Sequence, residues 1–345
     1  MRHTQLGTSD LSVSQICLGT MTFGEQNTEA EGHSQLDMAL DCGVNFIDTA
    51  EMYSIPPRAA TFGKTEEIIG SWLKQSGKRD KVILASKVIG QADWMPHIRN
   101  AKACLDKKNI NLAIEGSLNR LKTDYLDLYQ VHWPDRNTNF FGQLGYQYSE
   151  QKSATPIEET LSVLADLVQA GKVRYIGVSN ETPWGVMEYL RLSEKFDLPR
   201  IVSIQNPYNL LNRSFEIGLA EICHREEIGL LTYSPLGFGV LSGKYIDQKP
   251  KNSRLGLFPE YKRYTNENGI KATRDYVRLA QDYQMTAAQM ALAFVNSRSF
   301  VKANIIGATN LYQLKENLES VEISLSDEIL QEIEVIHQRY SNPCP

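Results

Sequence analysis

The sequence predicts a (β/α)8 TIM barrel, and three observations predict it. Eight short apolar runs recur along the 345 residues, at 14–19, 44–48, 82–87, 126–132, 173–180, 201–206, 229–234 and 302–308. Stretches of helical period fill most of the gaps between them, the alternation expected of a parallel sheet. The runs are continuously apolar instead of alternating, as parallel strands covered by helices are.

The elements follow in order. "RHTQLGTSDLSVSQ" (2–15) reads as two short alternating strands around the turn Gly7-Thr8-Ser9-Asp10. In a barrel that hairpin would plug the N-terminal end. Helices are expected over 29–42, 65–76, 109–122, 156–170, 183–195, 215–226 and 311–319, and 271–297 divides into two. The tail 326–340 is an additional outer helix, with Ser326 as its cap and Asp327 and Glu328 in its first turn.

Three connections are long: 88–108, 134–155 and 234–270. Each leaves the C-terminal end of a strand, the face on which barrel active sites lie. Loops of this length are uncommon unless functional. No internal repeat, linker or low-complexity block interrupts the chain, and barrels often exceed ~250 residues as one domain. A single domain over 1–345 is therefore expected.

Composition narrows the function classes. Hydrophobic residues at 42% and charged residues at 22% are ordinary for a soluble globular chain. The net charge of -5 argues against a nucleic-acid partner, which would favour a basic face. The five cysteines are odd in number and widely spaced, with no CxxC, so neither a disulfide framework nor a zinc site is expected. Free thiols suit a reducing cytosol. The N-terminus lacks the apolar core of a signal peptide. No run approaches the ~18 apolar residues that a membrane helix needs. The expectation is a cytoplasmic protein with no membrane segment and no metal.

Chemistry-bearing residues gather at the strand ends. Asp48 and Tyr53, in "DTAEMY", follow the second run; Lys87 closes the third and His132 follows the fourth. Ser179 and Asn180 follow the fifth, Gln205 and Asn206 the sixth, and Tyr233 and Ser234 the seventh. Each is weak alone: Asp is a common turn residue, a lone His is more often a satisfied polar group, and Asp with Lys can be only a buried ion pair. In a barrel they converge on one mouth. Tyr titrates near ~10, so it is a poor proton donor and acceptor at neutral pH. A neighbouring ammonium favours the phenolate and lowers that value. Lys87 can supply the charge, Asp48 can hold Lys87, and His132 can bond the same carbonyl oxygen as Tyr53. The set suits general acid catalysis on a carbonyl whose carbon accepts a hydride. No side chain supplies a hydride, so a cofactor must.

"GFGVLSG" (237–243) imitates a dinucleotide fingerprint, but its G-x-G-x-x-x-G spacing is one residue too long and no early βαβ unit hosts it. Trp94, Trp133, Phe140, Phe141, Tyr146 and Tyr148 lie on the long loops of the active face. Packing the loops together and lining an aromatic substrate pocket are both open to them.

Over essentially its whole length the chain resembles the aldo-keto reductase family, including its potassium-channel beta-subunit branch. The matching stretches are "LGTMTFG" (18–24), "NFIDTAEMY" (45–53), "ASK" (85–87), "DYLDLYQVHWP" (124–134), "GKVRYIGVSN" (171–180), "YSPLGFGVLSGK" (233–244) and "IIGATNLYQLKENL" (305–318). The resemblance implies a catalytic tetrad of Asp48, Tyr53, Lys87 and His132, with His132 and Trp133 facing a small-molecule carbonyl substrate. It implies NADP(H) extended across the barrel mouth. Ser179, Asn180 and Gln205 would hold the carboxamide, and Tyr233 would stack on the nicotinamide. The stretch Ser234, Pro235, Leu236, Gly237, Phe238, Gly239, Val240, Leu241, Ser242, Gly243 and Lys244 would wrap the pyrophosphate. Gly307, Thr309, Gln313, Glu316 and Asn317 would hold the adenosine end, with Arg254 reaching the adenine or the 2′-phosphate. Glycines let backbone N–H groups approach phosphate, and the helix beginning near 309 offers its positive end to an anion.

Two departures from the family pattern bear on substrate access: extra residues between Tyr53 and the second helix in "EMYSIPPRAATFGKTEE" (51–67), and the long loop 134–155. The expected activity is NADPH-dependent reduction of aldehydes or ketones. The alternative is an NADP(H)-sensing regulatory subunit like the channel beta subunits, which leaves a protein partner open.

Overall fold

The computed structural model describes residues 1–149, 151 and 153–345; Glu150 and Lys152, within the long loop 134–155, lie outside the described residues. Each of the eight apolar runs forms a strand. They are β3 (Ile16–Gly19), β4 (Phe46–Asp48), β5 (Ile83–Val88), β6 (Leu126–Val131), β7 (Val173–Ser179), β8 (Ile201–Pro207), β9 (Gly229–Tyr233) and β10 (Val301–Ile306). All neighbours pair in parallel, and β10 pairs with β3 through Asn304 and Ile16 to close the barrel. The N-terminal hairpin pairs β1 (His3–Gln5) with β2 (Ser12–Ser14) in antiparallel register.

Side-chain alternation divides the apolar residues into two cores. Cys17, Phe46, Ala85, Leu128, Leu231 and Ala303 point into the barrel, where Leu6, Leu11 and Val13 of the hairpin segment join them. Phe46 and Ile83, in this cluster, begin their strands, so the hairpin closes the N-terminal end as expected. Ile16, Leu18, Ile47, Leu84, Tyr129 and Val131 point outward against the helices. The period of two has a consequence for the site. Phe46 and Asp48 share the inner face, as do Ala85 with Lys87 and Leu128 with Gln130. The apolar bottom of the barrel thus gives way to a polar layer near the C-terminal mouth.

The helices are α1 (Glu29–Asp41), α2 (Lys64–Ser76), α3 (Lys107–Leu121), α4 (Ile157–Gln169), α5 (Pro183–Phe196), α6 (Leu219–Arg225), α7 (Arg254–Leu257), α8 (Glu267–Asp282), α9 (Ala287–Asn296), α10 (Leu311–Glu319) and α11 (Asp327–Arg339). Ser326 caps α11 by accepting from the Ile329 N–H, as its position predicts. The expected split of 271–297 falls where Thr286 and Gln289 form a capping box. Three local readings change. α8 starts at Glu267, four residues early, because the Asn266 side chain caps it. The stretch 215–226 opens as a 3-10 turn, Ser214–Ile217, before the short α6. The connection 234–270 contains the unforeseen α7.

Among the described residues no helix is long and apolar enough to cross a membrane, and all five cysteines are free.

Candidate active site

The polar layer is built on one ion pair. Lys87 Nζ donates to Asp48 Oδ2 at 2.5 Å and to the Thr49 carbonyl at 2.8 Å, with both charged side chains buried. Asp48 Oδ1 accepts from Gln205 Nε2 at 2.9 Å and from Gln130 Nε2 at 3.2 Å. An ammonium has three protons. Two are committed to these partners, and Lys87 Nζ lies 5.0 Å from the Tyr53 ring centroid. The His132 ring meets Tyr53 edge-on at 5.7 Å. Strand β6 ends one residue before His132, whose N–H bonds the Val88 carbonyl of β5 at 2.8 Å.

These contacts set the protonation states. Burial opposes the charge on Lys87, but Asp48 and Tyr53 outweigh it and hold the ammonium above its ordinary value. Burial pushes the Tyr53 phenol up, and Lys87 offsets only part of that rise. Lys87 does pull toward the phenolate, as the sequence implies, but desolvation is larger, and the phenol lies above its ordinary value, not below it. Burial, with Lys87 nearby, drives the His132 imidazole well below its ordinary range. At neutral pH the site therefore holds a protonated phenol, a charged lysine and an uncharged imidazole.

The turn that carries Tyr53 is fixed from both sides. Glu51 donates its N–H to the Lys87 carbonyl at 3.2 Å, and its carboxylate accepts from the Ile89 N–H at 2.9 Å. Arg99 reaches the same carboxylate through two nitrogens, at 2.6 and 2.9 Å.

A cleft of about 1120 Å³ opens over this layer. It brings together Asp48, Tyr53, His132, Trp133, Ser179, Asn180, Gln205, Tyr233, Ser234, Pro235, Leu236, Phe238, Gly239, Ser242, Lys244, Arg254, Gly307, Thr309, Gln313, Glu316 and Asn317. Lys87 lies beneath it, reaching the cleft through its partners. Gly237, Val240, Leu241 and Gly243 do not line it. Val240 and Leu241 are packed in the outer core instead, anchoring the turn whose other residues face the cleft. Gly239 has φ +87°, a conformation that side chains other than glycine rarely adopt.

A belt of hydrogen bonds ties the strand ends together. The Tyr233 hydroxyl donates to Asn180 Oδ1 at 2.6 Å, and Asn180 Nδ2 donates to the His132 carbonyl at 2.9 Å. Ser179 Oγ donates to the Gln205 carbonyl at 2.7 Å. At the far end of the cleft, Gln313 Oε1 accepts from the Thr309 N–H and hydroxyl, both at 3.1 Å, and Asn317 Nδ2 donates to the Gly307 carbonyl at 3.2 Å. Glu316 accepts from Thr286 at 2.8 Å.

The aromatic residues of the long loops divide. Trp94, Trp133 and Phe141 line the cleft. Trp133 stacks with Trp94 at 6.1 Å and meets Phe141 edge-on at 5.7 Å. Phe140 packs behind them. Tyr146 and Tyr148 are 62% and 80% exposed and lie outside the cleft. Sequence reasoning missed one cleft cation, Arg263, whose only signal was its place in the long connection 234–270.

The sequence model of the aldo/keto reductase family matches residues 15–338. Protein tas of Escherichia coli is 52% identical over the whole of both chains. The uncharacterized oxidoreductase YrpG of Bacillus subtilis is 34% identical over 96% of this chain and 94% of its own. A probable voltage-gated potassium channel subunit beta of rice, Oryza sativa, is 31% identical over 98% and 97% respectively.

Proposed function

The chain belongs to the aldo/keto reductase family, and on that premise we propose that it reduces aldehyde or ketone carbonyls to alcohols with NADPH, Tyr53 acting as the general acid. One observation carries this reading: Lys87 lies between Asp48 and the Tyr53 ring, with the uncharged His132 at the ring's edge.

The cleft suits a phosphorylated dinucleotide. Lys244 and Arg254 line it with no carboxylate within 4.0 Å among the described residues, so their charges are free for an anion. The turn 237–243 places glycines at positive φ beside them. Ser179, Asn180 and Gln205 offer amide and hydroxyl groups next to Tyr53, and Thr309, Gln313 and Asn317 offer them at the opposite end. When bound, the reduced nicotinamide supplies a hydride to the carbonyl carbon.

The chain's own residues do the rest. The phenol of Tyr53 gives its proton to the carbonyl oxygen. Lys87 stabilises the phenolate left behind, and Asp48 keeps Lys87 charged. His132, being neutral, has an N–H to donate to the same oxygen. Trp94, Trp133 and Phe141 form an apolar wall for the substrate's body. The preference for NADPH over NADH is assigned to Lys244, Arg254 and Gln313, because a 2′-phosphate adds about two negative charges that cationic and amide donors can hold. The free cysteines fit a reducing compartment, so the reading places the protein in the cytoplasm.

Stopped-flow oxidation of bound NADPH by a panel of aldehydes tests the proposal. Fast turnover with prompt cofactor exchange is expected. The second reading, a nucleotide-sensing subunit, is favoured by the match to the rice chain named as a channel subunit. Slow oxidation with very slow nucleotide release would select it.

A further inference from the structure

We infer that Gln130 is a positioning residue that decides which chemical group the cleft accepts at Gln205. By taking up one proton of the Gln205 amide, it leaves only an oxygen to face the cleft. The site then selects a nicotinamide whose carboxamide carries an N–H donor. The inference rests on the NADP(H) reading above and deepens it.

Gln130 lies on β6, buried beneath the cleft, and lines no part of it. Its strand neighbours are Lys87 on β5 and Gly177 on β7. Gly177 gives the side chain its room: a Cβ there would collide with Ser203 Oγ and meet Gln130 Cγ at 3.3 Å. Gln130 can therefore reach past β7 to Gln205 on β8. Burying an amide is costly unless it is hydrogen-bonded, and Gln130 engages both ends of its own. Its Nε2 donates to Asp48 Oδ1 at 3.2 Å, and its Oε1 accepts from Gln205 Nε2 at 3.2 Å.

The direction of these bonds is forced. An ionised carboxylate only accepts, and an amide nitrogen carries two protons. Asp48 Oδ1 therefore turns both glutamine nitrogens toward itself, that of Gln205 at 2.9 Å. This bond engages one proton of Gln205 Nε2, and Gln130 Oε1 takes the second. Gln205 lines the cleft, and its Oε1 makes no hydrogen bond within the chain among the described residues. The neighbouring donors are engaged in the same way. Ser179 Oγ donates to the Gln205 carbonyl at 2.7 Å, and Asn180 Nδ2 donates to the His132 carbonyl at 2.9 Å and to Ser179 Oγ at 3.1 Å. The anchor thus presents acceptors, and the NH2 of a carboxamide is the part of nicotinamide that matches them. Without Gln130, Asp48 would still hold one Gln205 proton, but the other would be free to turn into the cleft and meet a ligand oxygen.

The test titrates the protein's fluorescence with NADP and two of its analogues. In the acetylpyridine analogue a methyl replaces the carboxamide NH2; in the thionicotinamide analogue sulfur replaces the carboxamide oxygen and the NH2 stays. The wild type is expected to bind the acetyl analogue about 10-fold more weakly than NADP, the cost of leaving a buried acceptor unpaired, and to bind the thio analogue like NADP. In Gln130→Met, which fills similar space without an amide, that gap should shrink to about twofold or less, with NADP affinity near wild type. Gln130→Glu, which keeps an oxygen to accept the Gln205 proton, should keep the gap. Loss of a merely structural side chain would weaken all three nucleotides together. Gln205→Met should also lose the gap, and adding Gln130→Met to it should change nothing further. Gln130→Asn, a methylene too short to bridge both partners, is the second variant should Gln130→Met not fold, and the same loss of the gap is expected. A wild type that binds NADP and the acetyl analogue equally overturns the inference, as does a folded Gln130→Met or Gln130→Asn protein that keeps the gap. A protein that binds none of the three nucleotides overturns the NADP(H) reading and the inference with it. Binding with the expected ratios but without aldehyde reduction upholds the inference and rejects only the reductase reading.

Discussion

Arg99 holds Glu51 through two nitrogens, and Glu51 stands two residues before Tyr53. The contact joins the loop after β5 to the turn that carries the proposed proton donor. Its arginine belongs to a run of three left-handed residues, Arg99, Asn100 and Ala101, with φ of 48°, 56° and 59°. Such a conformation costs about 1–2 kcal/mol per residue, and strain of this kind persists only where surroundings over-determine it. Arg99→Gln removes the cation and leaves the Glu51 carboxylate buried without its ionic partner. The expected loss is about 3–5 kcal/mol of stability, with kcat reduced because the Tyr53 turn is released. Urea denaturation and steady-state rates measure both; an unchanged midpoint would refute the coupling.

Tyr53→Phe removes one hydroxyl and keeps the ring. Aldehyde turnover should fall by roughly 10²–10⁴-fold or more, the worth of general acid catalysis, while NADPH affinity and melting temperature hold. Lys87→Met should harm turnover comparably, and the double variant should lose little more than either single one, since both residues serve one proton transfer. Lys87→Met should also destabilise the fold, because Asp48 is left buried without its ionic partner. A Tyr53→Phe protein with near wild-type kcat would reduce "DTAEMY" to an ordinary turn.

His132 gives a pH signature. Burial and the Lys87 charge hold its folded value below the ordinary 6.5. The unfolded chain therefore binds this proton first, and stability rises with pH between the two values. Its contribution is complete above about pH 6.5 and is lost as the pH falls toward the folded value. Melting temperature should drop on acidification through that window, and drop less in His132→Gln. Identical acid profiles for the two proteins would show that His132 is not the group responsible.

The nucleotide preference rests on charge. Lys244→Met and Arg254→Met should each weaken NADPH binding more than NADH binding, and the wild-type preference for NADPH should shrink as salt rises. Fluorescence titration with both nucleotides decides the matter. Equal wild-type affinities would sink the assignment.

The barrel was legible because eight apolar runs alternate with helical stretches; six of the runs end in polar residues, and closure of the barrel makes those ends neighbours. Asp48, Lys87 and His132 needed only strand alternation to be placed together. The start of α8 was not legible, since Asn266 and Gly269 read as loop until the side-chain cap is seen. Nor could the sequence say that Val240 and Leu241 turn into the core while Phe238 and Gly239 face the cleft, because a tight turn has no period to read. The net shift of Tyr53 depended on how deeply the phenol is buried, a tertiary quantity.

Closure of the barrel through Ile16 and Asn304 has a further consequence, for synthesis. One of the first barrel residues to leave the ribosome must wait for one of the last. At about 5–20 residues per second that delay is roughly 15–60 seconds. Throughout it β3 has an unpaired edge, and an open edge invites pairing with other chains. A chain truncated before β10 should therefore collect in inclusion bodies, while the full chain escapes by sealing its own first strand.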